Sequence, residues 1–145
     1  MTKRRTAAAI AVAFVVSQIL DIVVHGVLLN AEYEPFRGSL LRANASWQML
    51  LLPVAHLLLI CALVWVFGHA KFSGRMPTQG VKLGLLGWTA GQAPLWLLWY
   101  AEQPWPGQLV VKQLVLELVS SVILGITIAA VARRRQPAKS VVGAV

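Results

Sequence analysis

The chain has 145 residues, 58% of them hydrophobic and 12% charged, with a formal net charge of +8. A charged share about half the ~25% of soluble domains excludes an ordinary soluble globule. The positive charge does not indicate nucleic acid, because the basic residues stand at the ends of apolar runs and form no basic face interleaved with aromatics.

Lys3, Arg4 and Arg5 precede an apolar run that starts at Ala7. The opening imitates a secretory signal, with Val15-x-Ser17 as a cleavage-like site. The run continues to Leu29, too long for a signal core, so an uncleaved first span over about 7–29 is expected. A polar connection follows, carrying Glu32, Glu34, Arg37 and Arg42, with Pro35 and Gly38 as helix breakers. Phe36, Leu40 and Leu41 share one side of residues 36–43, the pattern of a short interfacial helix. Asn44-Ala45-Ser46 matches a glycosylation sequon, a pattern common enough by chance to carry no weight.

A second span is expected over about 47–68, containing Pro53, His56 and Cys61. A single cysteine allows no intramolecular disulfide, and Cys61 in its apolar run reads as a packing residue. The next loop carries Lys71 and Arg75, with Lys82 just beyond. A third span follows over about 81–100, then a turn fixed by Pro104, Pro106 and Gly107. A fourth span over about 108–132 ends at Arg133, Arg134, Arg135 and Lys139, and residues 136–145 read as a flexible cytoplasmic tail. Both termini and the second loop are basic, and the other loops are nearly neutral. The expected fold class is therefore an all-α integral membrane protein, a single four-transmembrane-helix bundle with N-in/C-in topology in the cell membrane. Tyr33, Trp47, Trp99, Tyr100 and Trp105 fall at the outer interface, as an aromatic belt does.

Within these spans a few polar residues stand in hydrocarbon, where an Asp at mid-span costs about 2.5–3.5 kcal/mol on insertion scales. At a rise of about 1.5 Å per residue, Asp21 lies about 12 Å from the outer end of its span. His56 lies about 13 Å in, Gln92 about 12 Å and Glu117 about 14 Å. Each span thus gives one polar residue to the same layer. His25 and Gln113 lie one turn nearer the outside. Gln18, Asp21 and His25 share a stripe at i, i+3, i+7, and Gln113, Glu117, Ser120 and Ser121 share another. Trp88, Gln92 and Trp96 line up on the third span, with Trp88 and Trp96 as expected walls of the cavity. Gly80, Gly84, Gly87 and Gly91 make small-xxx-small steps, a face suited to close helix approach within the bundle or in a homodimer.

The expected centre is Asp21, His56 and Glu117, with His25 as an outer gate and Gln18, Gln92 and Gln113 in support. Two carboxylates and two imidazoles suit a divalent metal such as Zn, Fe or Mn, with Asp21, His56 and Glu117 as its ligands. They equally suit a proton relay, or a structural network that only neutralises itself. Bis-histidine haem is disfavoured, because His25 and His56 fall about 7 Å apart in depth. No H-E-x-x-H, C-x-x-C, G-x-S-x-G or P-loop pattern occurs. Three functions follow: cation or proton handling in transport or sensing, a membrane-embedded enzyme acting on a lipid or isoprenoid, and a non-catalytic assembly subunit. The expected surroundings are the lipid bilayer and a second copy of the chain, not nucleic acid.

Overall fold

The computed structural model describes residues 1–42 and 47–132. The sequon at Asn44-Ala45-Ser46, the cations from Arg133 onward and the 136–145 tail lie outside the described residues. Among the described residues the fold is helical, with no strand. Helix α1 spans Lys3–Asp21 and continues without a break as a wider π-helical stretch, Ile22–Leu28. A single short turn of helix, α2, covers Asn30–Tyr33 and tightens to a 3₁₀ turn at Glu34–Phe36. A 3₁₀ turn at Trp47–Leu50 leads into α3, Leu51–His69. Then come α4 at Met76–Gly87, a π-helical stretch at Trp88–Gln92, and α5 at Ala93–Glu102. The long α6, Gly107–Ala132, closes the described fold.

Among the described residues, three helices are long and apolar enough to cross a membrane: Lys3–Leu28, Trp47–His69 and Gly107–Ala132. Their outward faces support that placement. On α6, Val111, Val115, Val119 and Ile123 are all exposed at four-residue spacing, and on α3 Leu51, Leu58 and Trp65 are exposed. In water such continuous apolar stripes would be large aggregation-prone patches, whereas lipid is their natural solvent. The run 76–102 is also continuous helix, but Lys82, Gln92 and its glycines make it less apolar than the other three. Pro94 explains its widened middle. Proline lacks the N–H that would bond Ala90 and crowds that carbonyl, and the π stretch ending at Gln92 takes up the mismatch.

The connection after α2 departs from the sequence expectation. Residues 37–41 form a turn rather than an interfacial helix: Gly38 sits at φ 82°, and its N–H bonds the Leu41 carbonyl at 2.6 Å. A positive φ at Gly38 ends helical continuation. Phe36, Leu40 and Leu41 still share a side, and they pack against the buried group Leu29, Tyr33, Trp105 and Leu109.

Packing places two dry clusters on either side of a polar layer. One joins Ala9 and Ala13 of α1, Ile60 and Val64 of α3, Leu83 of α4 and Leu124 and Ile128 of α6. The other is built on Val24, Leu29, Tyr33, Trp105 and Leu109. The tightest pair is α4 with α6. A Cβ on Gly80 would stand 2.5 Å from the Ile126 Cα, and one on Gly84 would overlap the Ser121 carbonyl oxygen. A Cβ on Gly125 would overlap the Gly80 carbonyl oxygen in return. Gly87 receives the Leu63 side chain, and Gly91 stands only against a Leu59 methyl at 3.9 Å. The close approach expected of the glycine face is thus made to α6 of the same chain, and a dimer contact at Gly80 and Gly84 would require α6 to vacate them.

Candidate functional site

The polar layer holds a cavity with about 40 Å³ available to water, lined by residues of α1, α3, α6 and both π stretches. Asp21, His56, Gln92, Glu117, Ser120 and Ser121 are all in its walls, together with Ser17. A water needs roughly 10–15 Å³ on this measure, so the cavity takes a few waters or a small cation. The common depth inferred from helical rise therefore corresponds to a shared space.

The ionisable side chains form a string across the helices. The His25 Nε2 stands 3.0 Å from Glu117 Oε1 and 3.5 Å from Asp21 Oδ1. On its other edge, Nδ1 stands 2.8 Å from the Tyr33 hydroxyl. Asp21 Oδ1 lies 4.0 Å from His56 Nε2, and His56 Nδ1 is 3.0 Å from Gln18 Nε2. Gln18 in turn stands 3.4 Å from the Ser17 hydroxyl, which donates to the Phe14 carbonyl. The string thus runs Gln18, His56, Asp21, His25, Glu117, with Tyr33 as a branch. His25, His56 and Asp21 are each a quarter to a third exposed, while Glu117 is 14% exposed. Of these four ionisable groups, Glu117 is the most enclosed.

His25 does not stand one turn above the layer, as its sequence position suggests, but within it, between Asp21 and Glu117. Side chains on a helix tilt toward its N-terminus. His25 therefore tilts back to the level of Asp21, while Glu117, on the oppositely directed α6, tilts outward to meet it. Hydrogen-bond chemistry then assigns the atoms. An ionised Glu117 can only accept, so Nε2 carries the proton it shares. When the ring is neutral this leaves Nδ1 bare, and the Tyr33 hydroxyl donates to it. Burial, with the Glu117 and Asp21 carboxylates nearby, pushes the Tyr33 phenol above its ordinary value, so it keeps the proton it donates.

Among the described residues, no group of three or more His, Cys, Asp or Glu side chains converges closely enough to hold a metal ion. The expected ligand set of Asp21, His56 and Glu117 does not fit one. His25 stands between the two carboxylates, and His56 approaches only Asp21, at 4.0 Å. Metal ligation needs several donors about 2 Å from one point. The two histidines lie on either side of Asp21 instead.

The remaining expected site residues divide. Ser120, Ser121 and Gln92 line the cavity, and Gln18 supports it through His56. Trp88 and Trp96 do not wall it. The Trp88 indole N–H donates to the Leu114 carbonyl of α6 at 3.0 Å, and Trp96 packs edge-on against Trp99 and Trp105. The π stretch between them turns the helix face away from the stripe that 3.6-residue periodicity predicts. Gln113 lies outside the cavity wall too: it is fully buried, and neither atom of its amide has a hydrogen-bond partner. Sequence reading treated Tyr33 only as a belt residue. The signal that would have found it is its place eight residues beyond His25, just past the end of the span, where the chain turns back over its own helix.

No protein-family model, curated protein or solved structure matches the chain.

Proposed function

We propose that this chain is a multi-pass cell-membrane protein with four spans and N-in/C-in topology, and that it takes up and transfers protons through the Asp21–His25–Glu117 layer. The observation that carries this reading is His25, whose Nε2 stands between carboxylates from two different helices at 3.0 and 3.5 Å. Imidazole is the side chain that exchanges a proton with least perturbation near neutral pH. Two acceptors on one N–H give that proton two destinations. His56 and the cavity waters extend the string from Asp21.

The cavity's size favours protons, or a small cation moving with them, over a lipid or isoprenoid substrate. About 40 Å³ seats waters and not a headgroup with its chain. The topology is supported by charge. Lys3, Arg4 and Arg5, then Lys71 and Arg75, and finally Arg133, Arg134 and Arg135 would all lie on one side if 76–102 also crosses.

The test is proton flux into vesicles reconstituted with the purified chain, read by an internal pH-sensitive dye under an imposed pH gradient. Wild-type flux should exceed that of empty vesicles. Glu117→Gln should lower it by roughly tenfold or more, the scale of losing a positioned proton-transfer group. Wild-type flux equal to that of empty vesicles would sink the proposal. Unchanged flux in Glu117→Gln would leave the cluster a structural network of an assembly subunit.

A further inference from the structure

The structure assigns Tyr33 as a positioning residue of the layer: its hydroxyl, held over the outer end by α2, pairs with His25 Nδ1 in both charge states of the imidazole and keeps Nε2 aimed at Glu117. This inference rests on the proton-transfer reading above.

Three features of the structure support it. The contact is short and shielded: the Tyr33 oxygen is 2.8 Å from Nδ1, the two rings lie nearly parallel with centroids 5.9 Å apart, and Tyr33 is 8% exposed. A phenol is also the group whose role can reverse. It donates to the bare Nδ1 of neutral His25, and it accepts from Nδ1–H once the ring is doubly protonated. No backbone carbonyl could serve both states, because it only accepts. The third feature is the way Tyr33 is seated. The α2 turn is tied to α6 by Lys112 Nζ on Glu32 Oε1 at 2.6 Å, and Arg37 bridges Glu34 and the Asn30 side-chain oxygen at 2.5 and 2.7 Å. Leu29, Trp105 and Leu109 pack into the same buried group as Tyr33.

The groups around His25 leave Tyr33 this role. From α1 comes Asp21, and from α6 Glu117, both facing Nε2. His56 of α3 faces Asp21 and Gln18, and Lys112 is engaged by Glu32. Among these, Tyr33 alone meets Nδ1. In the imidazolium form both ring nitrogens carry hydrogen, and the Tyr33 hydroxyl accepts from Nδ1–H instead of donating. If Nε2–H passes its proton to Glu117, the carboxylate becomes a carboxylic acid and the ring is left neutral with its remaining proton on Nδ1, facing the Tyr33 oxygen. No bond other than N–H and O–H changes.

The experiment is nitrogen NMR of histidine-labelled protein in detergent or bilayer, comparing wild type with Tyr33→Phe and Tyr100→Phe. The chain has three histidines, so His56→Gln and His69→Gln variants assign the His25 ring. Wild-type His25 should show a hydrogen-bonded Nδ1 and a single Nε2–H tautomer in its neutral form. Tyr33→Phe removes one oxygen and keeps the ring, so the fold should be retained, as a thermal melt can check. It should lose the hydrogen-bonded Nδ1 signature and admit the other tautomer, changing the ratio by roughly fivefold, as the loss of one neutral hydrogen bond implies. Tyr100→Phe removes a hydroxyl from an exposed ring and should leave His25 unchanged. Unaltered His25 nitrogens in Tyr33→Phe, or an equal change in Tyr100→Phe, would overturn the assignment. The readout needs no flux. If Glu117→Gln leaves flux unchanged while Tyr33→Phe alters the His25 nitrogens, the proton-transfer reading fails and the positioning role of Tyr33 stands.

Discussion

Glu117 and Gln113 lie one turn apart on α6, and the structure treats them in opposite ways. Glu117 is 14% exposed and has His25 Nε2 as a hydrogen-bond partner at 3.0 Å. Gln113 is wholly buried, with its amide oxygen and nitrogen both unpaired. An orphaned buried polar group costs about 1–3 kcal/mol. Gln113→Met keeps the volume and removes both orphans, so it should be stabilising by about 1 kcal/mol in reversible unfolding in detergent. A loss of stability would mean that the amide has a bound water as partner. The contrast marks what sequence could convey at this scale. Gln113 and Glu117 look equivalent on a helical stripe, and only the neighbours across the interface, supplied by residues 80 or more positions away, decide which one is used. Glu32 and Lys112, 80 residues apart, form their ion pair under the same limit. The i, i+4 pair of Asp21 and His25, by contrast, is visible directly, because helical spacing alone brings it together.

Between helices, the contact that fixes the layer's geometry is α4 against α6. Lipid offers no hydrophobic force to drive apolar helices together, so close backbone approach and dense packing must supply the association. Gly80, Gly84 and Gly125 provide it. Gly84→Ala places its Cβ onto the Ser121 carbonyl oxygen, a rigid neighbour. The helices must part, at a cost of about 1–3 kcal/mol. Gly91→Ala meets only a Leu59 methyl at 3.9 Å, and relief of glycine's flexibility should make it neutral or stabilising by up to about 1 kcal/mol. Thermal unfolding of the two variants in one detergent compares them, and equal destabilisation would show that the glycines serve only helix flexibility. The small-xxx-small steps were legible in the sequence as a close-packing face, because spacing determines a face. Which helix fills that face was not legible. The π stretches were invisible for a related reason: at Trp88–Gln92 and Ile22–Leu28 the turn widens, and every stripe drawn with a constant 3.6-residue period drifts beyond it. A constant period puts Trp88 and Trp96 on the cavity wall, whereas they pack on Leu114 and on Trp99 and Trp105. Gln92 is the exception on that stripe and lines the cavity, at the end of the widened stretch itself.

For the molecule as a whole, a polar layer between two dry clusters has a direction only if the orientation of the chain in the membrane is known. On one side of the layer Ala9, Ala13, Ile60, Leu83 and Ile128 pack together, whereas the other side carries Tyr33, Glu32 and Lys112. With N-in/C-in topology, the layer would lie toward the outer face, and a proton crossing to the cytoplasm would have to pass the cluster of Ala9, Ala13, Ile60 and Ile128. The topology turns on whether the run 76–102 crosses, since its glycines, Lys82 and Gln92 give it the weakest hydropathy of the four. The chain's single cysteine allows a direct test. On a Cys61→Ser background, Ser73→Cys reports the loop before that run and Glu102→Cys reports its far end, both at exposed positions. An impermeant thiol reagent added to intact cells should label Glu102→Cys and spare Ser73→Cys until the membrane is opened. Lys71, Arg75 and Lys82 around the first site would hold it inside, as cytoplasmic loops retain their cations. Equal labelling of both sites would mean that the run 76–102 does not cross. Ser73 labelled and Glu102 protected would reverse the orientation, and the layer would then face the cytoplasm.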